Sequence, residues 1–120
     1  MTNYTRGRAF EYAVRDKLID AGWYCLRAAG SHGVADLWAM KRGVCAWVQC
    51  KSGKEASNKE AKALYDLATH YGGVPVLAER TGRKTFWWQI VPAMAGGTEP
   101  LTYVPFERDA PLCGGMGGRP

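Results

Sequence analysis

The sequence predicts an α/β sandwich with a mixed central sheet, its elements in the order α-β-β-β-α-β-β. Three observations predict it. Apolar residues recur at helical spacing in two stretches, over residues 5–21 and 57–71. Short runs of strand length, rich in Val, Trp, Phe and Ile, lie between and after them. Turn signals built on Gly separate these runs, which is the alternation expected of layered helices and strands. With 120 residues, 47% apolar and 22% charged, the chain suffices for one core and not two. The same values exclude wholesale disorder and a fibrous protein.

In the first helix, Phe10, Val14, Leu18 and Ala21 form one stripe. Thr5 can cap its start, and Gly22 supplies a left-handed stop. Residues 23–28 read as a strand and 29–33 as a turn. Residues 34–41 and 44–51 read as two strands joined by Arg42-Gly43, a two-residue hairpin signature. Ser57-Asn58-Lys59-Glu60 fits a capping box and opens the second helix, with Ala61, Leu64, Tyr65 and Ala68 on one face. Gly72-Gly73 ends that helix. Residues 74–80 and 85–91 are strand-like, with a turn over 81–84.

Beyond Pro92 the composition changes: residues 93–120 hold six Gly and four Pro, and only 101–106 look ordered. The expected organisation is therefore a core over residues 1–92 and a Gly/Pro-rich tail or docking arm over 93–120. No repeats occur. No apolar run approaches the ~18 residues of a membrane span, and the first residues lack the pattern of a signal peptide. A cytoplasmic protein with no membrane partner is the expectation.

Charge is unevenly placed. Residues 1–62 carry 11 Lys+Arg against 6 Asp+Glu, whereas residues 63–120 carry 5 against 5. The whole excess of +5 sits in the first half. This points either to a basic face for a polyanion such as nucleic acid or to a merely solvated basic surface. Cys25, Cys45, Cys50 and Cys113 show no C-x-x-C pair and no His at zinc-ligand spacing, so free buried thiols are expected rather than a disulfide or metal site.

Candidate chemistry follows from the hairpin. If Arg42-Gly43 is a two-residue loop, Lys41 pairs with Val44 and Asp36 lies opposite Gln49. Lys51, two residues beyond Gln49, shares its face and is diagonal to Asp36. A carboxylate, an amide and an ammonium then break an otherwise apolar face. That marks either a site or a structural Asp36–Lys51 pair at a sheet end. Glu11 borders the buried stripe of the first helix and can offer a second carboxylate, or it is a solvated helix residue. Two carboxylates and an amide oxygen are hard ligands suited to Mg²⁺ or Mn²⁺.

The string RGRAFEYAVRDKL…LRAAGSHGVADLWA…AWVQCK…HYGGVPVLAER…FWWQIV resembles the archaeal-type Holliday-junction resolvases of the PD-(D/E)XK nuclease superfamily, over residues 6 to 91. The resemblance implies a restriction-endonuclease-like core. Glu11 matches the family's helical Glu, Asp36 its motif Asp and Lys51 its motif Lys; Arg27 and Ser31 match as well. One position departs: Gln49 stands where the family has its second acid, which leaves Glu11 and Asp36 as the only anions. The resemblance further implies Mg²⁺-dependent hydrolysis that resolves four-way junctions by paired nicks leaving 5′-phosphates. Asp36, Gln49 and the Cys50 backbone carbonyl would be metal ligands, Glu11 would complete the site, and Lys51 would orient water or stabilise developing charge.

A junction's two-fold symmetry calls for a homodimer, as does the resemblance. The strand holding Phe86, Trp87 and Trp88 is a candidate dimer face, unless these residues are core. Arg6, Arg8, Arg27, Ser31, Lys54, Lys59 and Lys62 are candidate DNA contacts, each Lys or Arg singly being also a plausible solvated charge. Tyr71 could stack on exposed bases or pack at the helix end. Two other readings stay open: a catalytically weak or inactive module that binds junctions or branched DNA, and a related nuclease acting on nicked or flapped DNA. The host, whether archaeal, bacterial or a virus-infected prokaryotic cell, is not written in the sequence.

Overall fold

In the computed structural model, which describes residues 3–93 and 101–108, the first apolar stripe forms α1 (Asn3–Asp20). It starts earlier than the Thr5 cap would place it. Its end is as expected. Gly22 adopts φ +97°, the Gly22 N–H donates to Ile19 O, and the Trp23 N–H donates to Leu18 O, which together close the helix in a Schellman motif. Phe10, Val14 and Leu18 are fully buried on its inner face.

The chain then lays down β1 (Tyr24–Arg27), a 3-10 turn (Ala29–Ser31), β2 (Leu37–Lys41) and β3 (Val44–Ser52). Arg42 and Gly43 take φ +50° and +82°, the left-handed pair that a type I′ turn needs. The expected register holds, Lys41 opposite Val44 through Leu37 opposite Val48. β2 starts at Leu37 rather than residue 34, because the preceding residues wrap around the buried Ser31 hydroxyl.

α2 (Asn58–Tyr71) opens with the expected capping box: Ser57 Oγ accepts from the Glu60 N–H at 3.1 Å and Glu60 Oε1 from the Ser57 N–H at 2.8 Å. Gly72 and Gly73, at φ +86° and +133°, turn the chain into β4. A Cβ at Gly73 would meet Cys45 O and the Trp47 ring at 3.0 Å, so this close approach also requires glycine. β4 (Val74–Thr81) pairs with β3 in parallel, and β5 (Lys84–Pro92) returns antiparallel to β4.

A sixth strand follows. β6 (Leu101–Pro105) pairs with β5, so the sheet runs β1-β2-β3-β4-β5-β6. Residues 101–108 were expected in a tail or arm; instead they close over this chain's own core. Phe106 packs against Trp23, with ring centroids 5.9 Å apart, and the Arg108 guanidinium lies 4.6 Å over the Trp87 ring. Trp23 Nε1 and Lys41 Nζ both donate to Arg108 O. Pro105 is the last residue of the strand, where a missing N–H is tolerated, and the Gly of that region lie outside it in the sequence. The remainder of the expected tail, with Cys113, lies outside the described residues.

α1 covers one face of the sheet, over Leu37, Ala39, Ala46, Val48, Val76 and Ala78. α2 covers the other, with Ala61 and Leu64 on Leu77 and Ile90. Trp87 belongs to the α1-side core, which removes it from the expected dimer face; Trp88 is half-buried on the α2 side and Phe86 is exposed. Cys25, Cys45 and Cys50 are free and half-buried. Burial pushes the Cys25 thiol up to about 11 and the Cys50 thiol well above its ordinary value, as expected for unreactive thiols. Among the described residues, no helix is long and apolar enough to cross a membrane.

Candidate active site

The site forms where the chain enters β2. Ser31 is buried, and its Oγ lies 2.7 Å from Ala28 O, 2.8 Å from Ala35 O and 3.0 Å from Ala35 N. This hydroxyl ties the 3-10 turn to the residue before Asp36 and leaves nothing over for a phosphate. The Asp36 N–H donates to Val48 O, and Asp36 O accepts from the Ala28 N–H. Asp36 therefore sits just outside the ladder rather than squarely opposite Gln49. Its side chain takes the place of a backbone partner: Oδ2 accepts from the Cys50 N–H at 2.7 Å. Cys50 lies between Gln49 and Lys51, so the carboxylate is held against the stretch of β3 that carries the other two candidates.

Glu11 follows buried Phe10 on α1 and comes down beside Asp36. Burial raises its carboxyl above the ordinary range, and the neighbouring Asp36 charge raises it further, against the opposing Arg27 and Arg8. Asp36 is raised as well, chiefly by burial, and is held back by the Cys50 N–H, Glu11, Lys51 and Arg27. Arg27 Nη2 lies 3.9 Å from Glu11 Oε1. Two half-buried carboxyls thus lie side by side with only partial compensation, an arrangement that a cation relieves.

Gln49 adds a second sign of an absent partner. It is 8% exposed, and its buried Oε1 has no hydrogen-bond partner among the described residues. Buried polar atoms are rarely left so. The donors suit a hard divalent ion: Glu11, Asp36, the Gln49 amide oxygen and the Cys50 carbonyl. Among the described residues no three His, Cys, Asp or Glu side chains gather to hold a metal. Any such ion would therefore depend on two acids and neutral oxygens.

Lys51 is close enough to Asp36 to lower it, but its Nζ is bound elsewhere, 2.8 Å from Glu60 Oε2 on α2. The sequence marks Glu60 only as a capping residue. A contact nine residues away across a loop leaves no periodic trace.

The basic candidates divide. Arg8 and Arg27 are at the rim of the acids and act on Glu11. Arg6, Lys54 and Lys59 are exposed. Lys62 is paired with Asp66 at 2.9 Å, which offsets its charge. Tyr71 is 67% exposed rather than packed as core, its ring 6.1 Å from that of Trp47. A cleft of about 410 Å³, which sequence reasoning missed, runs from Tyr71 to Arg27 past Leu67, Trp38 and Trp47. Its lining comes from three strands, a turn and α2, so only the register brings it together.

A mixed sheet with a helix on each face, and an acidic pair beside a lysine at the mouth of a hairpin, define a nuclease-type α/β core. A family model described as archaeal Holliday junction resolvase (Hjc) matches residues 2–106, and the chain belongs to that family. Among solved structures, it is similar to Hjc of Archaeoglobus fulgidus, a Holliday junction resolvase from an archaeal hyperthermophile. Identity is 21%, the match covers 83% of this chain and 84% of that one, and the TM-score is 0.59. None of the curated proteins matches. The family is one of DNA-binding nucleases of recombination and repair, and the expected fold class is the observed one.

Proposed function

We propose that this chain resolves four-way DNA junctions by Mg²⁺-dependent paired nicks that leave 5′-phosphates, acting as a homodimer, with Mn²⁺ as a possible substitute ion. The observation that carries the reading is the Glu11–Asp36 pair: two half-buried carboxyls brought together by α1 and the entry to β2, both raised by burial. Such a pair is costly to the fold and serves to hold a cation. Glu11, Asp36, Gln49 Oε1 and the Cys50 carbonyl would be the ligands. When bound, the ion acidifies water and offsets charge on the scissile phosphate. The Cys50 N–H fixes the rotamer of Asp36, and Ser31 braces the turn that delivers it. Lys51 faces the developing negative charge. Arg27 and Arg8 flank the acids and draw in the phosphate backbone; Arg6, Lys54 and Lys59 extend that basic surface along the arms. The setting would be the cytoplasm of a prokaryotic cell, a reducing compartment in which thiols such as Cys25, Cys45 and Cys50 stay free.

The test is cleavage of a synthetic four-way junction with Mg²⁺, comparing wild type with Asp36→Asn and Gln49→Glu. Cutting by wild type and loss in Asp36→Asn support the reading; equal behaviour of the two removes it. Gln49 favours one second reading, a module that binds junctions without cutting them. If only Gln49→Glu cuts, the native protein is a binder. Nicked and flapped duplexes at the same salt separate a junction resolvase from a nuclease of broader taste.

A further inference from the structure

We propose that Glu60 is a positioning residue for Lys51, supplying from α2 the countercharge that Gln49 does not provide in the strand. The proposal rests on the nuclease reading above and deepens it.

Lys51 has a side chain only 13% exposed, and an ammonium so enclosed needs a carboxylate. Three acids are near enough to consider. Asp36 Oδ2 is taken by the Cys50 N–H, and its carboxyl faces Glu11. Glu79 is the β4 neighbour of Lys51 in the parallel ladder, but its Oε2 accepts from the Ala56 N–H at 2.9 Å. Position 49, two residues back on the face of Lys51, is an amide. The ammonium therefore goes to Glu60, Nζ to Oε2 at 2.8 Å.

The mount is rigid. The other oxygen of Glu60 accepts from the Ser57 N–H at 2.8 Å, and the Glu60 N–H donates to Ser57 Oγ at 3.1 Å. Both carboxylate oxygens are thus committed, one to the helix cap and one to the lysine. The first turn of α2 is itself fixed, by Ala61 and Leu64 buried on the sheet. An otherwise flexible four-carbon side chain is held from a packed helix, which is how a reacting group keeps its place.

The experiment uses the full chain in four forms: wild type, Glu60→Gln, Ser57→Ala, and Glu60→Gln combined with Gln49→Glu. Three quantities are read: the single-turnover rate on a four-way junction with Mg²⁺, junction affinity, and acetylation of Lys51 by an amine-reactive ester followed by peptide mass spectrometry. Glu60→Gln is expected to slow cutting on the order of 10–100-fold, the cost of a misplaced group, with affinity unchanged. Lys51 should be acetylated several-fold faster in that variant. Ser57→Ala removes the hydroxyl of the cap but keeps the Ser57 N–H bond to Glu60 Oε1 and the ion pair, so it should lose far less rate than Glu60→Gln. At saturating Mg²⁺, Gln49→Glu restores a carboxylate on the face of Lys51 and should recover most of the rate and return Lys51 acetylation to the wild-type level, which neither tighter metal binding nor a purely structural defect in α2 would do.

The proposal is overturned if Glu60→Gln and Ser57→Ala lose rate equally, if Lys51 acetylation is unchanged, or if the rate survives while acetylation rises. Failure of the nuclease reading shows elsewhere, as intact junctions with wild type itself.

Discussion

At the scale of single residues, activity and stability oppose each other at Glu11. Its carboxyl is raised above its ordinary value, first by burial and then by Asp36. A raised acid costs stability once pH exceeds its unfolded pKa, and the cost reaches full size above the folded pKa. Glu11→Gln is therefore expected to abolish cutting and yet melt higher than wild type at neutral pH, by on the order of a few °C. The gain should vanish in melts below the ordinary carboxylate range. A Glu11→Gln protein that melts lower at pH 7 and equal at acid pH would show that the carboxyl is stabilising instead. Gln49→Glu tests the same balance from the other side. A third acid should reduce the Mg²⁺ needed for half-maximal cutting and lower the metal-free melting temperature, both readable from Mg²⁺ titrations. Much of this site was legible in the sequence: Glu11 from its place beside a buried stripe, Asp36 and Lys51 from hairpin register. The Cys50 N–H that holds Asp36 was not, since backbone donors leave no mark in a side-chain pattern. Nor was the commitment of Ser31 to three backbone atoms.

At the scale of elements, α2 begins on a carboxylate held well below its usual range. Glu60 is lowered to about 2 by its hydrogen bonds with Lys51 and the Ser57 backbone. A depressed acid contributes stability that is fully present above its unfolded pKa and lost as pH falls through the folded one. Melting curves of wild type and Glu60→Gln should differ at pH 5 to 7 and converge as pH drops from 4.5 towards 2. Because the side chain is 37% exposed, salt should shrink the difference. A gap that persists undiminished at low pH would assign it to packing. The elements themselves were legible where a local rule fixes them. Arg42-Gly43 set the β2–β3 register, and Ser57 with Glu60 set the start of α2. The order of residues 101–106 was legible, but their pairing with β5 was not, because it is decided by long-range contacts of Phe106 with Trp23 and of Arg108 with Trp87. Helical spacing did locate Phe10, Val14 and Leu18, whose burial on the sheet makes Leu18→Ala a loss of about 2–5 kcal/mol in denaturant unfolding.

At the scale of the whole molecule, one chain of 13.2 kDa carries one Glu11–Asp36 pair, while resolution of a junction requires two opposed strands to be cut. Two copies related by a two-fold axis meet that requirement, and the substrate has the matching symmetry. A plasmid that extrudes a cruciform distinguishes the outcomes. A dimer that cuts both strands within one encounter yields linear product directly, whereas a lone subunit accumulates nicked circles. Light scattering on the free protein should give twice the chain mass. The uneven charge adds a second measurable property of the molecule. Each phosphate neutralised by Lys or Arg releases counterions, so affinity should fall steeply with salt, and Arg6→Ala or Lys54→Ala should each reduce the log–log slope by about 0.9 without altering preference for the junction over duplex. Lys62→Ala should change the slope less, because Asp66 already offsets that charge. A preference that collapses with Lys54→Ala would mean that branched shape is recognised through that lysine rather than through the way two copies span the crossover.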